Sequence, residues 1–487
     1  MASAATARSV VLLPNGAAAS SIQQPTTRRC PAAAAVSRTS PFLGSRTLCP
    51  HGSREKLLRL VHEGLCPRPG RHHSAAARPG RTMASTAMQD RVRVLDGKSK
   101  YTIAVLPGDG QGPQVMEVAK KVLSALSTTS GVDFEFREGH VGLTALESTG
   151  SILPEDTISL CKSVDAVLLG GLSGKILEND DVPLRSRVLK KLRSEMDLYC
   201  QLSPAKAFEQ LLEDYSLKVE SLRGTDMIIV REIGGGIYTG QQGREDLPSG
   251  GQRAFSTASY TREEVERIAH AAFGLARQRK RQLVSVDLAN YLEVSVFWRE
   301  IFTRLGKEEY PDVELRHELA DDFATRLVQN PARYDVVSMG NLLGDILVES
   351  ARGITGGKPM SPTAEFGAPG TPGIFGYPGS YETVQVEGAK ETANPLGLIR
   401  SVSMMLRYQF EKPVLADLVQ EAIKSVLADK IRTPDMVVVP KAPDNAPFSV
   451  WPKLQTVDCE EMGDRLVQAM EYYQSFKVTG NPVEVGE

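Results

Sequence analysis

From about residue 100 onward, short apolar runs alternate with longer stretches whose apolar residues recur at helical spacing. Residues 101–106 (YTIAVL) form one such run, closed by the turn-forming PGDGQGP; the QVMEVAKKVLSAL that follows (114–126) reads as an amphipathic helix. Further strand-like runs are DAVLLGG (165–171), DMIIVRE (226–232), QLVSVD (282–287) and YDVVSMG (334–340). Helical patterns lie between them, including REEVERIAHAAFGLARQRKR (262–281) and NYLEVSVFWREIFTRL (290–305). This alternation predicts an α/β protein around a largely buried sheet. Residues 353–380 are so rich in Gly and Pro that they are expected to be loop, and long loops in compact proteins are often functional.

Charge adds a boundary. Before Asp90 there are eleven Arg and one Lys against Glu55 and Glu63, a surplus of ten positive charges. The formal total of the 487-residue chain is −2, so the remainder carries −12. A leader rich in Ala, Ser, Thr, Pro and Arg cannot bury enough apolar surface to fold, and it matches an organelle transit peptide over residues 1–90. The MASAA start favours a plastid over a mitochondrion; the other reading of the leader is a basic arm for nucleic acid. The acidic body argues against nucleic acid, since phosphate binding needs a basic surface. No stretch approaches the ~20 apolar residues of a membrane span. Cys161, Cys200 and Cys459 lie far apart without a CxxC pair, so neither a disulfide framework nor a zinc site is expected.

Three local patterns carry candidate chemistry. The GDGQG turn (108–112) invites a dinucleotide-binding reading but fails the G-x-G-x-x-G spacing, so a tight strand-to-helix turn is expected instead. In NLLGDILVES (341–350), Asp345 and Glu349 are four apart and share a helix face; HELADDFATRL (317–327), read as a neighbouring helix, supplies Asp321 or Asp322. Converging carboxylates suit a hard divalent cation such as Mg²⁺ or Mn²⁺, although spacing alone favours solvated helix acids. In VREIGGGIYTG (230–240), a strand ending at Arg231 precedes a glycine-rich turn carrying Tyr238. Arginine suits bidentate carboxylate recognition and tyrosine suits proton donation.

Together with LPGDGQGPQV, DAVLLGG, KKLRSEMDLY, VDLANYLE and ANPLGLIRSVSMMLRY (393–408), these segments follow the order seen in isopropylmalate dehydrogenases over roughly residues 100–475. That resemblance implies a two-lobed α/β fold with a mixed sheet that is not a Rossmann domain, followed by a tail at 476–487. It implies NAD- and Mg²⁺- or Mn²⁺-dependent oxidation and decarboxylation of a 2-hydroxy acid in leucine biosynthesis, in a dimer whose sites each borrow a lysine and one metal aspartate from the other subunit. Carried over residue by residue, Arg193 and Arg231 match clamp arginines and Tyr238 the proton donor. Asp321, Asp345 and Glu349 match the metal ligands, with Glu349 standing where the family has Asp. Asn290, Asn394 and Glu382 fall at cofactor positions.

The departures from the family pattern are as informative. The catalytic lysine position is Leu288 and a third clamp arginine is Ser203. Lys190 and Tyr291 replace apolar residues expected around the substrate's alkyl group, and the cofactor loop reads YPGSYETVQVEG (377–388). These changes imply a catalytically impaired or non-catalytic subunit, in a homodimer or paired with an active paralogue. The alternative is an active dehydrogenase, slow on isopropylmalate or adapted to another β-carboxylated 2-hydroxy acid.

Overall fold

The structure, a computed structural model, describes residues 98–177, 182–215, 217–376, 393–437 and 454–478. The leader, the segment holding Glu382 and the end of the tail lie outside the described residues. In chain order the principal elements are β1 (Lys100–Gly108), α1 (Gly112–Ser130), β2 (Asp133–Glu138), α2 (Leu143–Thr149), α3 (Glu155–Ser163), β3 (Ala166–Gly171), α4 (Leu184–Glu195) and β4 (Cys200–Lys206). There follow α5 (Val219–Leu222), β5 (Asp226–Glu232), the hairpin β6 (Gln242–Asp246) and β7 (Gln252–Ser256), α6 (Arg262–Gln278), β8 (Gln282–Asp287) and α7 (Glu293–Glu308). Then come β9 (Glu314–Leu319), α8 (Ala320–Gln329), β10 (Val336–Met339), α9 (Asn341–Ile354), β11 (Ala364–Phe366), β12 (Gly373–Phe375), α10 (Leu396–Met404), α11 (Pro413–Ala428) and α12 (Cys459–Val478).

Among the described residues, ten strands form one mixed sheet in the order β2-β1-β3-β12-β11-β4-β5-β10-β8-β9. Its two flanks are parallel, and they meet through antiparallel pairings of β12 with β11, β11 with β4, and β4 with β5. Two expectations are corrected here. Residues 353–380 are not all loop, because they contain β11 and β12, which stitch the two flanks together. Residues 317–319 belong to β9, so the helix in HELADDFATRL starts only at Ala320. The apolar runs at β1, β3, β5, β8 and β10 are strands as expected.

The GDGQG segment is the predicted tight turn. Gly108 has φ +73°, and a Cβ there would lie 2.0 Å from the Gly171 carbonyl oxygen, so β1 and β3 can approach only with glycine at this position. Asp109 fixes the turn by accepting the Leu143 and Thr144 backbone N–H at 2.7 and 3.2 Å and that of Ser173 at 3.0 Å.

How the sheet is covered decides where a site can form. On one face a single apolar cluster runs across both flanks, from Ile103 and Leu168 through Leu202 and Val230 to Leu283. On the other face the cover is divided. One cluster packs α3 and α4 on β1 and β3 (Leu106, Leu169, Ile158, Leu192); another packs α8 and α9 on β5, β8 and β10 (Ile229, Val286, Phe323, Leu347). Between those two clusters, where β11, β4 and β5 come up, the side chains are polar. No described helix is long and apolar enough to cross a membrane.

Candidate active site

The polar strip is built by strand register. Glu365 of β11 is opposite Gln201 of β4, which is opposite Arg231 of β5, so the three side chains form a row across the antiparallel centre. From α4, Arg193 meets this row: its Nε and Nη2 donate to the two oxygens of Glu365 at 2.9 and 2.5 Å. The Gln201 amide donates to the same carboxylate at 2.8 Å. Burial pushes Glu365 up, but the charge and hydrogen bonds of Arg193 and Gln201 pull harder, and its carboxyl lies below the ordinary glutamate range.

Arg231 is engaged from the other side. Helix α9 starts immediately after β10, and Gly344 lets it lie directly on the arginine; a Cβ there would be 2.5 Å from Arg231 Cγ. Arg231 Nη1 then donates to Asp345 Oδ1 at 2.5 Å, and its Nε and Nη2 donate to Asn341 Oδ1 at 3.2 and 2.8 Å. Asn341 is itself held, its amide donating to the Gly235 carbonyl at 2.7 Å. Tyr238, on the turn after β5, donates its hydroxyl to Asp345 Oδ2 at 2.9 Å. Burial, then the hydrogen bond to Asp345 and its negative charge, hold the Tyr238 phenol above its ordinary value.

A third arginine completes the cluster. Arg352, one turn beyond Glu349 on α9, donates to Glu349 Oε1 at 2.5 Å, to Thr363 Oγ1 at 2.6 Å and to Ser203 Oγ at 3.4 Å. A guanidinium from the helix thus reaches the strand position where the clamp pattern has lost its arginine. Arg193, Arg231 and Arg352 face Glu365, Asp345 and Glu349 one to one.

The structure therefore brings together Arg193, Arg231, Tyr238, Asp345 and Glu349. Asp321 lies exposed in the first turn of α8, and among the described residues no group of three or more His, Cys, Asp or Glu side chains could hold a metal. Two carboxylates on one helix are the right donors for a hard cation, but one chain supplies too few. Leu288 follows the last residue of β8 and packs against the apolar cluster of α8 and α9. Asn290 is exposed beside it, and Tyr291 is 84% exposed. Asn394 is buried, with its amide donating to Asp435 at 3.0 Å and its carbonyl accepting the Leu396 N–H at 2.9 Å. A cavity of about 780 Å³ opens on the opposite face of the sheet, lined by Leu202, Ile228, Phe366 and Tyr408 but by none of Arg193, Arg231, Tyr238, Asp345 and Glu349.

Sequence reasoning missed Glu365, Gln201, Asn341 and Arg352. The signal for Glu365 was a polar residue between Ala364 and Phe366, the alternation of a half-buried strand, hidden within a Gly- and Pro-rich stretch.

Residues 102–466 match the model of the isocitrate/isopropylmalate dehydrogenase family. The chain is 41% identical over 338 residues to 3-isopropylmalate dehydrogenase of Aquifex aeolicus, covering 69% of this chain and 92% of that one. It is 39% identical over 377 residues to chloroplastic 3-isopropylmalate dehydrogenase 2 of Arabidopsis thaliana, covering 77% and 89%. Its fold is similar to that of isocitrate dehydrogenase from Methylococcus capsulatus, with a TM-score of 0.62, 27% identity and coverage of 76% of this chain and 99% of the other. The mixed ten-stranded sheet and these matches together place the chain in the isopropylmalate dehydrogenase family, within the isocitrate/isopropylmalate dehydrogenase superfamily.

Proposed function

We propose that this chain is an impaired or non-catalytic isopropylmalate dehydrogenase subunit that works beside a lysine-bearing relative. The observation that carries this reading is Leu288. A hydrocarbon side chain, packed against an apolar cluster, occupies the position from which the family's base acts. Losing a positioned acid–base group costs about 10²–10⁴ in rate. Ser203 also stands where the family has an arginine, although Arg352 reaches it from α9 at 3.4 Å.

The remaining parts of the site fit a residual or shared role. Asp345 and Glu349, with Asp321 from a second copy, would hold a divalent cation, which when bound polarises a substrate hydroxyl or ketone oxygen. Asn290, exposed three residues after β8, is the residue that the family resemblance would assign to NAD. A second reading, an active enzyme for another β-carboxylated 2-hydroxy acid, is favoured by one feature: exposed Lys190 lies on α4 one turn before Arg193, where it could meet an anionic substituent. The basic leader and the chloroplastic Arabidopsis relative support a plastid as the compartment.

The test is turnover. Residues 90–487 are incubated with isopropylmalate, NAD and Mg²⁺ and followed by NADH absorbance, beside a lysine-bearing relative. The chain is expected to be slower by about 10²–10⁴; comparable turnover would sink the impaired reading.

A further inference from the structure

Each of the three arginines in the cleft already faces a carboxylate of the same chain, but the three contacts are not equivalent. Asp345 and Glu349 are half-exposed, with 49% and 43% of their side-chain surface open. A ligand can exchange with such contacts. The Glu365 side chain is only 3% exposed and that of Arg193 20%.

We propose that Glu365 is a resident carboxylate that fills the anion-binding position of Arg193, so that the cleft rejects a dicarboxylic 2-hydroxy acid and takes a hydroxy acid with a single carboxylate at Arg231. The inference rests on reading Arg193 and Arg231 as the substrate clamp.

Three features of the geometry carry it. First, the contact is two-pronged, with Nε and Nη2 of Arg193 on separate oxygens of Glu365, which is the arrangement an arginine makes with a bound carboxylate. Second, the carboxylate cannot swing aside. Gln201 holds Oε1 from the adjacent strand, and the register that sets Glu365 beside Gln201 also sets Gln201 beside Arg231. Third, the position is at the centre of the polar strip, between the two apolar clusters, where a ligand entering the cleft would lie. An incoming carboxylate would therefore meet a like charge as well as an engaged arginine, and a buried charge left without a partner is strongly disfavoured. Arg231 is itself only 6% exposed, but its ionic partner Asp345 reaches solvent and can be exchanged for a single ligand carboxylate. The depressed Glu365 carboxyl agrees with a permanently ionised group at this position.

The experiment is a calorimetric titration with 3-isopropylmalate, in Mg²⁺ and without NAD, of the wild-type protein, Glu365→Ser and Glu365→Gln. Glu365→Ser vacates the position; Glu365→Gln keeps its volume but removes the charge, and serves if the serine variant does not fold. Wild type is expected to show no saturation below about 10 mM. The serine variant should bind at least ~10-fold more tightly, the weight of one charged hydrogen-bonded contact, and the glutamine variant should gain less. Submillimolar saturation of the wild type would overturn the proposal, as would variants that bind no better than wild type. Turnover is not read, so the two failures separate. A slow wild-type chain whose variants gain no binding sinks this inference alone; a fast, tightly binding wild type sinks both.

Discussion

Arg193 and Glu365 concentrate the residue-scale consequences. Both are largely buried, and such a pair is costly to break, since removing one partner strands the other; about 3–5 kcal/mol is typical. Glu365→Gln is therefore expected to lower the melting temperature at pH 7. The pH dependence has a definite sign. Because the folded-state carboxyl lies below the ordinary glutamate value of 4.5, its contribution is fully present above 4.5 and is lost as pH falls further. The gap in melting temperature between wild type and Glu365→Gln should thus be widest near neutrality and narrow below pH 4.5. Thermal melts in buffers from pH 7 to pH 3 measure it, and a gap that stays constant would mean that the ion pair is not its source.

At the scale of the element, α9 is the part that organises the cleft. It starts directly after β10, presents Asn341, Asp345, Glu349 and Arg352 toward the strip, and approaches β5 closely because Gly344 has no side chain. Its two glycines give opposite predictions. Gly344→Ala would drive a Cβ to 2.5 Å from Arg231 Cγ, and Arg231 cannot yield because Asn341 and Asp345 pin its guanidinium. Overpacking of this kind costs about 1–3 kcal/mol. Gly353 has nothing within 4 Å of an added Cβ, so Gly353→Ala should stabilise by about 0.5–1 kcal/mol through reduced backbone freedom in the unfolded chain. Chemical denaturation of both variants checks the pair of signs; equal shifts would show that the close approach to Arg231 is not what requires Gly344.

The whole molecule joins two parallel flanks through a short antiparallel centre, and leaves one face open between two apolar clusters. Among the described residues, one chain brings two metal-type carboxylates, Asp345 and Glu349, to that opening, so the proposed site would need a second chain to complete it, and a partner with a lysine would supply what Leu288 lacks. The full-length chain, tagged at its C-terminus and expressed in plant cells, is expected in plastids, shortened by its leader and accompanied by a lysine-bearing family member. Recovery from mitochondria would overturn the compartment, and recovery without such a partner would overturn the pairing.

The amino-acid sequence by itself determined the long elements and the family. Runs such as DMIIVRE and QLVSVD are strands because continuous apolar residues suit a sheet buried on both faces, and that information is local. The same holds for α6, whose Thr261 and Glu264 form a reciprocal cap at its start. Arg193, Arg231, Tyr238 and Asp345 were legible as candidates because they lie in distinctive segments. The tertiary structure alone decided what these residues touch. β11 and β12 are three residues long, too short to announce themselves among glycines and prolines, and they exist because β3 and β4 offer them partners. Glu365 therefore looked like a loop acid, although it closes on an arginine 172 positions away. Ion pairing over such a separation depends on where α4 packs against the register of β11 and β4, a property of the assembled fold that no window of sequence contains.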